Sequence, residues 1–331
     1  MATTNGAEAG STAKVSIFTK LYRGETSFQF IGHMRRWFIL SGVIILAGLI
    51  SIGVRGLNFG IDFRGGTSFE FPSTTLTPNQ VRAAISPLGY GGATIEVLGS
   101  GKSRVIQVES EKLTGAHKGS SETAVADALA RLAHLPSANG VSITSVGPSW
   151  GAGVTDSAIK ALIAFLIAII IYISVRFEWK MALAAIIAVL HDILVTIGVY
   201  SLSGLQVTPD TVIAVLTILG YSLYDTIVVF DRVQENVRGL AGMNRLTYSD
   251  SVNLSMNQVL MRSINTSLVA ILPILSVLII GAEILGATTL QEFGFALTIG
   301  LLSGAYSSIY IASPLLCVCL LYTSPSPRDR Q

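Results

Sequence analysis

Asp225 stands inside a run that is otherwise free of charge from Thr211 to Tyr224, within Thr211–Arg232 (TVIAVLTILGYSLYDTIVVFDR). On a helix rising about 1.5 Å per residue it lies roughly 20 Å from Thr211 and roughly 10 Å short of Asp231–Arg232. A carboxylate at that depth costs about 2.5–3.5 kcal/mol on insertion scales, and the default chemistry for such a group is proton loading and release. The competing reading is an Asp that joins two helices through a hydrogen bond. Burial favours the neutral form of a carboxyl and a nearby cation favours the charged one, so an acid held between the two can exchange a proton as its surroundings alternate.

Other ionisable and hydroxyl groups bear on the same chemistry. Tyr221 and Ser222 precede Asp225 by four and three residues and share its helix face, while Tyr224 and Thr226 flank it at wider angles. Arg262, amid Asn257, Gln258, Asn265 and Thr266, is the candidate counter-charge. Its stem can reach inward and its guanidinium keeps its proton. The alternative for Arg262 is an anchor at the headgroups. His191 and Asp192 interrupt another apolar run, and a helix-bundling role and a proton role stand equally open for them. Glu283, near the end of the Arg262 stretch, reads as a solvated charge. One charge crossing 100 mV gains about 2.3 kcal/mol, which shifts a two-state equilibrium roughly fifty-fold.

Other chemistries fit poorly. An intramembrane aspartyl protease would need two carboxylates sharing a proton, and Asp192 and Asp225 occur only in His-Asp and Tyr-Asp contexts, without a Gly-x-Gly-Asp partner motif. Gly99–Ser103 (GSGKS) lacks the first glycine of a phosphate loop, since Glu96 occupies that position, and reads as a hairpin turn. Cys317 and Cys319 point in different directions on a helix and make a poor disulfide or metal pair. No metal or cofactor site is read. A net charge of +2 gives no reason to expect nucleic acid.

The elements that must hold these groups are membrane spans. Half of the 331 residues are apolar, 13% are charged and mean hydropathy is +0.61, against about 25% charged in soluble domains. The predicted fold class is a multi-span α-helical membrane protein with six transmembrane helices and a small α+β, ferredoxin-like extracytoplasmic domain. Residues 1–36 read as a cytoplasmic N-terminal segment, of which 1–14 are small and polar and Val15–Phe30 suits the membrane surface. Residues 37–54 form an uncleaved first transmembrane helix, long enough to span. The remaining spans fall at about 154–175, 181–203, 209–231, 263–283 and 288–321, with a cytoplasmic loop at about 233–261. Residues 322–331 read as a tail of cloning or truncation origin.

Residues 56–150 alternate instead. Strands are expected at Thr67–Phe71, Ala93–Leu98, Arg104–Glu109 and Val141–Val146. Helices are expected at Thr77–Ser86, capped by Thr77 with Pro78 in its first turn, and at Ser121–Leu135. The order β-α-β-β-α-β is that of a split βαβ domain. Lys20, Arg23, Arg35 and Arg36 precede the first span, Arg176 and Lys180 separate the second and third, and Arg232, Arg238, Arg245 and Arg262 lie between the fourth and fifth. Loops 204–210 and 284–289 carry neither Lys nor Arg. Both termini are therefore expected in the cytoplasm and 56–150 outside it.

With these features in place, the sequence resembles the SecF branch of the SecD/SecF family of bacterial protein-export membrane proteins. The resemblance rests on Asn58–Gly66 (NFGIDFRGG), Val189–Asp192 (VLHD), Gly220–Glu235 (GYSLYDTIVVFDRVQE) and Asn257–Thr266 (NQVLMRSINT), and it covers about residues 30–320. It implies a transmembrane fold like that of resistance-nodulation-division (RND) exporters, a location in the bacterial cytoplasmic membrane, and partnership with SecD, the SecYEG channel, preprotein substrates and membrane lipid. It implies use of the proton-motive force in late steps of export, with the family's intramembrane Asp and Arg falling on Asp225 and Arg262. The family motif falls on Asn58, Gly60, Asp62, Gly65 and Gly66, the glycine pair suiting a tight turn from the membrane into the first strand. A proton-driven small-solute exporter of the same superfamily is the rival implication, and an assembly factor without proton chemistry the blandest.

Overall fold

In a bilayer each backbone N–H and C=O must be paired within its own segment, so apolar runs of this length close into helices. The computed structural model describes residues 26–99, 101, 104–110, 122–240, 247–284 and 288–323. Six helices in it are long and apolar enough to cross a membrane: Ile31–Arg55, Ser149–Arg176, Trp179–Ser203, Pro209–Val237, Tyr248–Gly281 and Leu290–Cys319, here spans one to six. Spans three, four and six form the interior, while most of spans one, two and five faces outward.

Close approach depends on small residues. A Cβ on Gly48 of span one would sit 2.8 Å from the Cα of Gly198 on span three, and Ser51 and Ser201 meet beside them at 2.9 Å. A Cβ on Gly304 of span six would press on Ser222 of span four at 2.9 Å. Such contacts replace the hydrophobic drive that helices lack among lipid tails.

One expectation needs correction here. The stretch 233–261 is largely helical and not a loop: the fourth helix runs Pro209–Leu240 and the fifth begins at Tyr248. Polar residues there do not end the helices, and a capping box between Thr247 and Asp250 starts the fifth. The segment Val15–Phe30, expected at the membrane surface, is described only from Thr26 onward. There it packs against span five: Asn253 Oδ1 accepts from Phe30 N at 2.8 Å, and Asn257 Oδ1 accepts from Phe28 N at 2.9 Å. Residues 1–25, the tail from 324, most of the GSGKS turn and the side chain of Glu283 lie outside the described residues.

The 56–150 region folds as its alternation requires. Strands β1 (Asn58–Phe59), β2 (Gly66–Pro72), β3 (Thr94–Leu98), β4 (Val105–Ser110) and β5 (Ser142–Val146) precede β6 (Gln206–Val207), which lies between spans three and four. The last four of the domain form an antiparallel sheet in the order β3-β4-β2-β5, the topology of two interleaved βαβ units. Phe69, Phe71, Ile106 and Val108 pack against Val81, Ile85, Val125 and Leu129 of the two helices. Pro78–Ile85 begins with a Thr77–Gln80 capping box. The second helix, Glu122–Leu132, stops short of the expected Leu135. His134 turns left-handed at φ 53°, and Leu135 N reaches back to Ala130 O at 2.9 Å, closing a Schellman cap.

The domain is tied to the bundle by the glycine-rich motif. β1 pairs in parallel with β6, Gly60 N donates to Val207 O at 3.1 Å, and Asn58 Nδ2 donates to Glu96 Oε1 at 2.5 Å. Gly65 turns at φ 75°, and a Cβ on Gly66, at φ 151°, would collide with the carbonyl oxygen of Ser110. The sheet face away from the two helices is polar. Ser68 and Glu109 are buried on it, and Gln107 Nε2 donates to Glu109 Oε1 at 2.9 Å.

Burial, then the neighbouring Glu96 and Asp62 carboxylates, push Glu109 up to about 7. An acid raised in this way favours the folded domain most below its ordinary value and loses that contribution as pH rises to about 7. Protection factors of the β3 and β4 amides in the membrane-embedded chain, corrected for the intrinsic rise of exchange with pH, are therefore expected to be larger near about pH 5 than near about pH 8, and Glu109→Gln to flatten the difference. An unchanged pH profile in that variant would remove Glu109 as its source. Gly66→Ala is expected to cost at least about 1–3 kcal/mol of domain stability from backbone strain alone, read as faster protease cleavage within 56–150. Equal resistance to wild type would contradict the steric account.

Candidate functional site

The intramembrane polar groups gather where spans three, four, five and six meet. Asp225 is buried on span four, about 9 Å, or six residues, before Asp231. Asp231 pairs with Arg176 at the end of span two, at 3.6 Å and largely exposed, which marks the end of the bundle opposite the β-sheet domain. The direct partner of Asp225 is Ser263 of span five, whose hydroxyl donates to Asp225 Oδ2. Ser308 of span six and Arg262 are its other polar neighbours.

Arg262 lies at the same level but does not form an ion pair with Asp225. Gln258, one turn earlier, accepts from Arg232 Nε at 2.6 Å, so Arg262 is about 6 Å deeper than that junction. Its Nη2 donates to the Tyr224 hydroxyl at 3.0 Å, and both side chains are exposed on the surface of the chain. Consecutive residues on a helix point about 100° apart, so Ser263 takes the inward position and Arg262 the outward one.

The expected grouping of Tyr221 and Ser222 with Asp225 is not what the structure shows. Helical side chains tilt toward the N-terminus of their own helix, so the short Ser222 side chain reaches the turn before it. There its hydroxyl donates to Asp192 Oδ2 at 2.6 Å. The Tyr221 hydroxyl is buried without a hydrogen-bond partner in the chain.

Asp192 is the most heavily bonded of these groups. It is fully buried and accepts from Ser303 at 2.7 Å and Ser307 at 2.8 Å as well as from Ser222. His191 Nδ1 lies 3.1 Å from its Oδ1, while His191 Nε2 is buried with no partner, and the ring stacks on Tyr306. Asp192 and Asp225 thus use different hydroxyls and do not share a proton as a protease pair would. The structure brings Asp192 and Ser222 together and sets Asp225 one turn away.

Ser263, Ser303, Ser307 and Ser308 were not singled out from the sequence. Their signal is a row of small hydroxyls in an apolar run, with Ser303 and Ser307 four apart on one helix face. Ser308 also opens a π-helical turn, Ser308–Ala312. Turns of this kind are frequent at functional sites. Among the described residues, no group of three or more His, Cys, Asp or Glu could hold a metal ion.

The motif residues lie apart from this centre, at the opposite end of the bundle. Asn58 and Gly60 bond across to the connection between spans three and four, and Gly65 and Gly66 make the turn into β2. Asp62 lies within the single helical turn Ile61–Arg64. Burial and the nearby Asp210 hold it above the usual carboxylate range.

Comparison with known proteins matches the pattern over most of the chain. The family described as "Protein export membrane protein SecD/SecF, C-terminal" matches residues 125–321, and the SecD/SecF GG motif matches residues 50–75. Protein translocase subunit SecF of Mycobacterium tuberculosis (strain ATCC 25618 / H37Rv) is 41% identical over 304 residues, covering 91% of this chain and 69% of the relative. The subunit of the same name from Calditerrivibrio nitroreducens is 35% identical over 314 residues, covering 90% of this chain and 96% of the relative. The crystal structure of SecDF from Thermus thermophilus, a translocon-associated membrane protein, superposes with a TM-score of 0.77 at 32% identity. It covers 89% of this chain, which spans only 39% of that longer one. Identity at this level across nine tenths of its length, on a shared fold, shows that the chain belongs to the SecD/SecF family of protein-export membrane proteins.

Proposed function

We propose that the chain is an accessory subunit of the Sec protein translocase that works with SecD to convert the proton-motive force into late steps of preprotein export. The observation that carries the proposal is Asp225, a carboxylate buried among membrane spans and held by hydroxyls in place of a cation. A serine can donate to an ionised carboxylate or accept from a protonated one, so the site can hold either form without rebuilding. Arg262, one residue from Ser263, supplies a fixed positive charge whose approach or withdrawal would bias that choice. The Lys and Arg pattern supports cytoplasmic termini and an outer position for residues 56–150. The glycine-rich motif couples that domain to spans one, three and four, so rocking of the bundle would move it. SecYEG and the emerging preprotein are the partners this role requires.

Asp225→Asn is expected to leave the complex with SecD assembled and to abolish the gradient-dependent part of secretion, measured in vesicles with and without a proton gradient. A gradient effect equal to wild type would remove Asp225 from the mechanism. For Arg262, Lys is expected to retain part of the stimulation and Ala little of it. Equal activity of Arg262→Lys and Arg262→Ala would instead make the residue a headgroup anchor.

A further inference from the structure

We propose that Asp192, with His191, is a second intramembrane proton-binding site, set beside the Asp225 site across spans four and six. This rests on the proton-coupling reading of Asp225 but adds a separate acid on a different helix. Three serine hydroxyls from two other spans converge on the Asp192 carboxylate at 2.6–2.8 Å. A helix-joining Asp needs one such bond. Here both oxygens are engaged, and Gly304 allows span six to come close enough to span four to complete the cage.

Two further features point to a proton and not to glue. First, His191 contacts Asp192 through Nδ1 while its Nε2 is buried and partnerless. A buried polar atom without a partner is rare and calls for a role. An imidazole can take a proton on one nitrogen and give one from the other.

Second, the Asp192 cage adjoins the Asp225 site. The Ser222 side chain bonds Asp192, and its carbonyl oxygen accepts from Thr226 at 3.0 Å and faces Ser308 at 3.3 Å. Thr226 and Ser308 hydroxyls are 3.0 Å apart, and Ser308 stands beside Asp225. Ser308 has one hydroxyl hydrogen and several acceptors in reach, including Gly304 O at 2.8 Å. The Ser222 carbonyl oxygen only accepts, so it joins the two sites as a shared acceptor about which the Thr226 and Ser308 hydroxyls can reorient as either acid changes its protonation. Among the described residues no Lys or Arg reaches Asp192. The groups facing it are Ser222 of span four, Ser303 and Ser307 of span six, and its own neighbour His191.

The test uses the full chain with SecD in lipid nanodiscs, with infrared difference spectra of the carboxyl C=O stretch recorded through a pH titration. Asp192→Asn is expected to remove one titrating carboxyl band and Asp225→Asn a different one. Ser307→Ala is expected to shift the Asp192 band, since it removes one of its donors. No band lost on Asp192→Asn, with no shift on Ser307→Ala, would overturn the proposal. If only the Asp225 band were missing, the reading of Asp225 would fail and the Asp192 site would stand. In vesicles, Asp192→Asn is expected to cut gradient-stimulated secretion by about tenfold or more, within the roughly fifty-fold one charge can supply, and Asp192→Glu to restore part of it. Full stimulation in assembled Asp192→Asn would also overturn the proposal.

Discussion

The structure depends on one constraint: in hydrocarbon a polar side chain must find its partner inside the protein. Spans three, four and six meet that constraint with serines. Asp192, Ser222, Ser303 and Ser307 satisfy one another, and Thr226 and Ser308 extend the same polar seam toward Asp225. The apolar faces of these spans pack around it, with Leu219, Leu223, Ala188 and Ile309 in one continuous core. Spans one and two carry few such groups and present Leu, Ile and Val outward, while span five turns Ser255, Asn257, Ser263 and Ser267 inward and its apolar residues outward. The inner faces of the helices thus follow from where the hydroxyls lie.

The same economy governs the join between the outer domain and the bundle. A sheet with one face buried on helices normally leaves the other to water. In this domain the second face is polar, yet Ser68 and Glu109 on it are buried, and Glu292 of span six lies near Glu96 and Glu109. The tie is made by backbone pairing of β1 with β6 and by Asn58 Nδ2, which donates to Gly204 O at 3.2 Å, groups that hold regardless of protonation. The carboxylates add an interaction that varies with pH. A joint of this kind is firm in register while its electrostatic part can change.

Much of this was legible in the sequence, and the reasons for the rest are specific. The spans were read because length and hydropathy fix a helix in a bilayer, and the βαββαβ domain because period-two alternation and the Thr77–Pro78 start are local signals. Asp225 stood out because a lone carboxylate in an apolar run has a cost. Its partner did not, because a serine in such a run costs little and draws no notice. Tyr221 and Ser222 were assigned to Asp225 on helical spacing alone, and Ser222 instead bonds to span three. Which helix lies opposite is a tertiary fact that periodicity within one helix cannot contain. The helical ends of spans four and five beyond the membrane were missed because charge there reports the interface and not the end of the helix.

Arg262 makes the final link between chain and complex. It lies about 6 Å beyond the junction of Gln258 with Arg232, yet it faces out of the chain with Tyr224 as its bonded partner. A guanidinium at that depth is poorly suited to lipid tails, whereas a second membrane subunit can surround it with polar groups. The solved SecDF structure that this chain resembles extends well beyond the portion matched here, and the proposed SecD partner would cover this surface. The face that bears Arg262 would then be an internal one. The inward Ser263 and the outward Arg262, adjacent in sequence, would connect the Asp225 centre of this subunit to the subunit beside it.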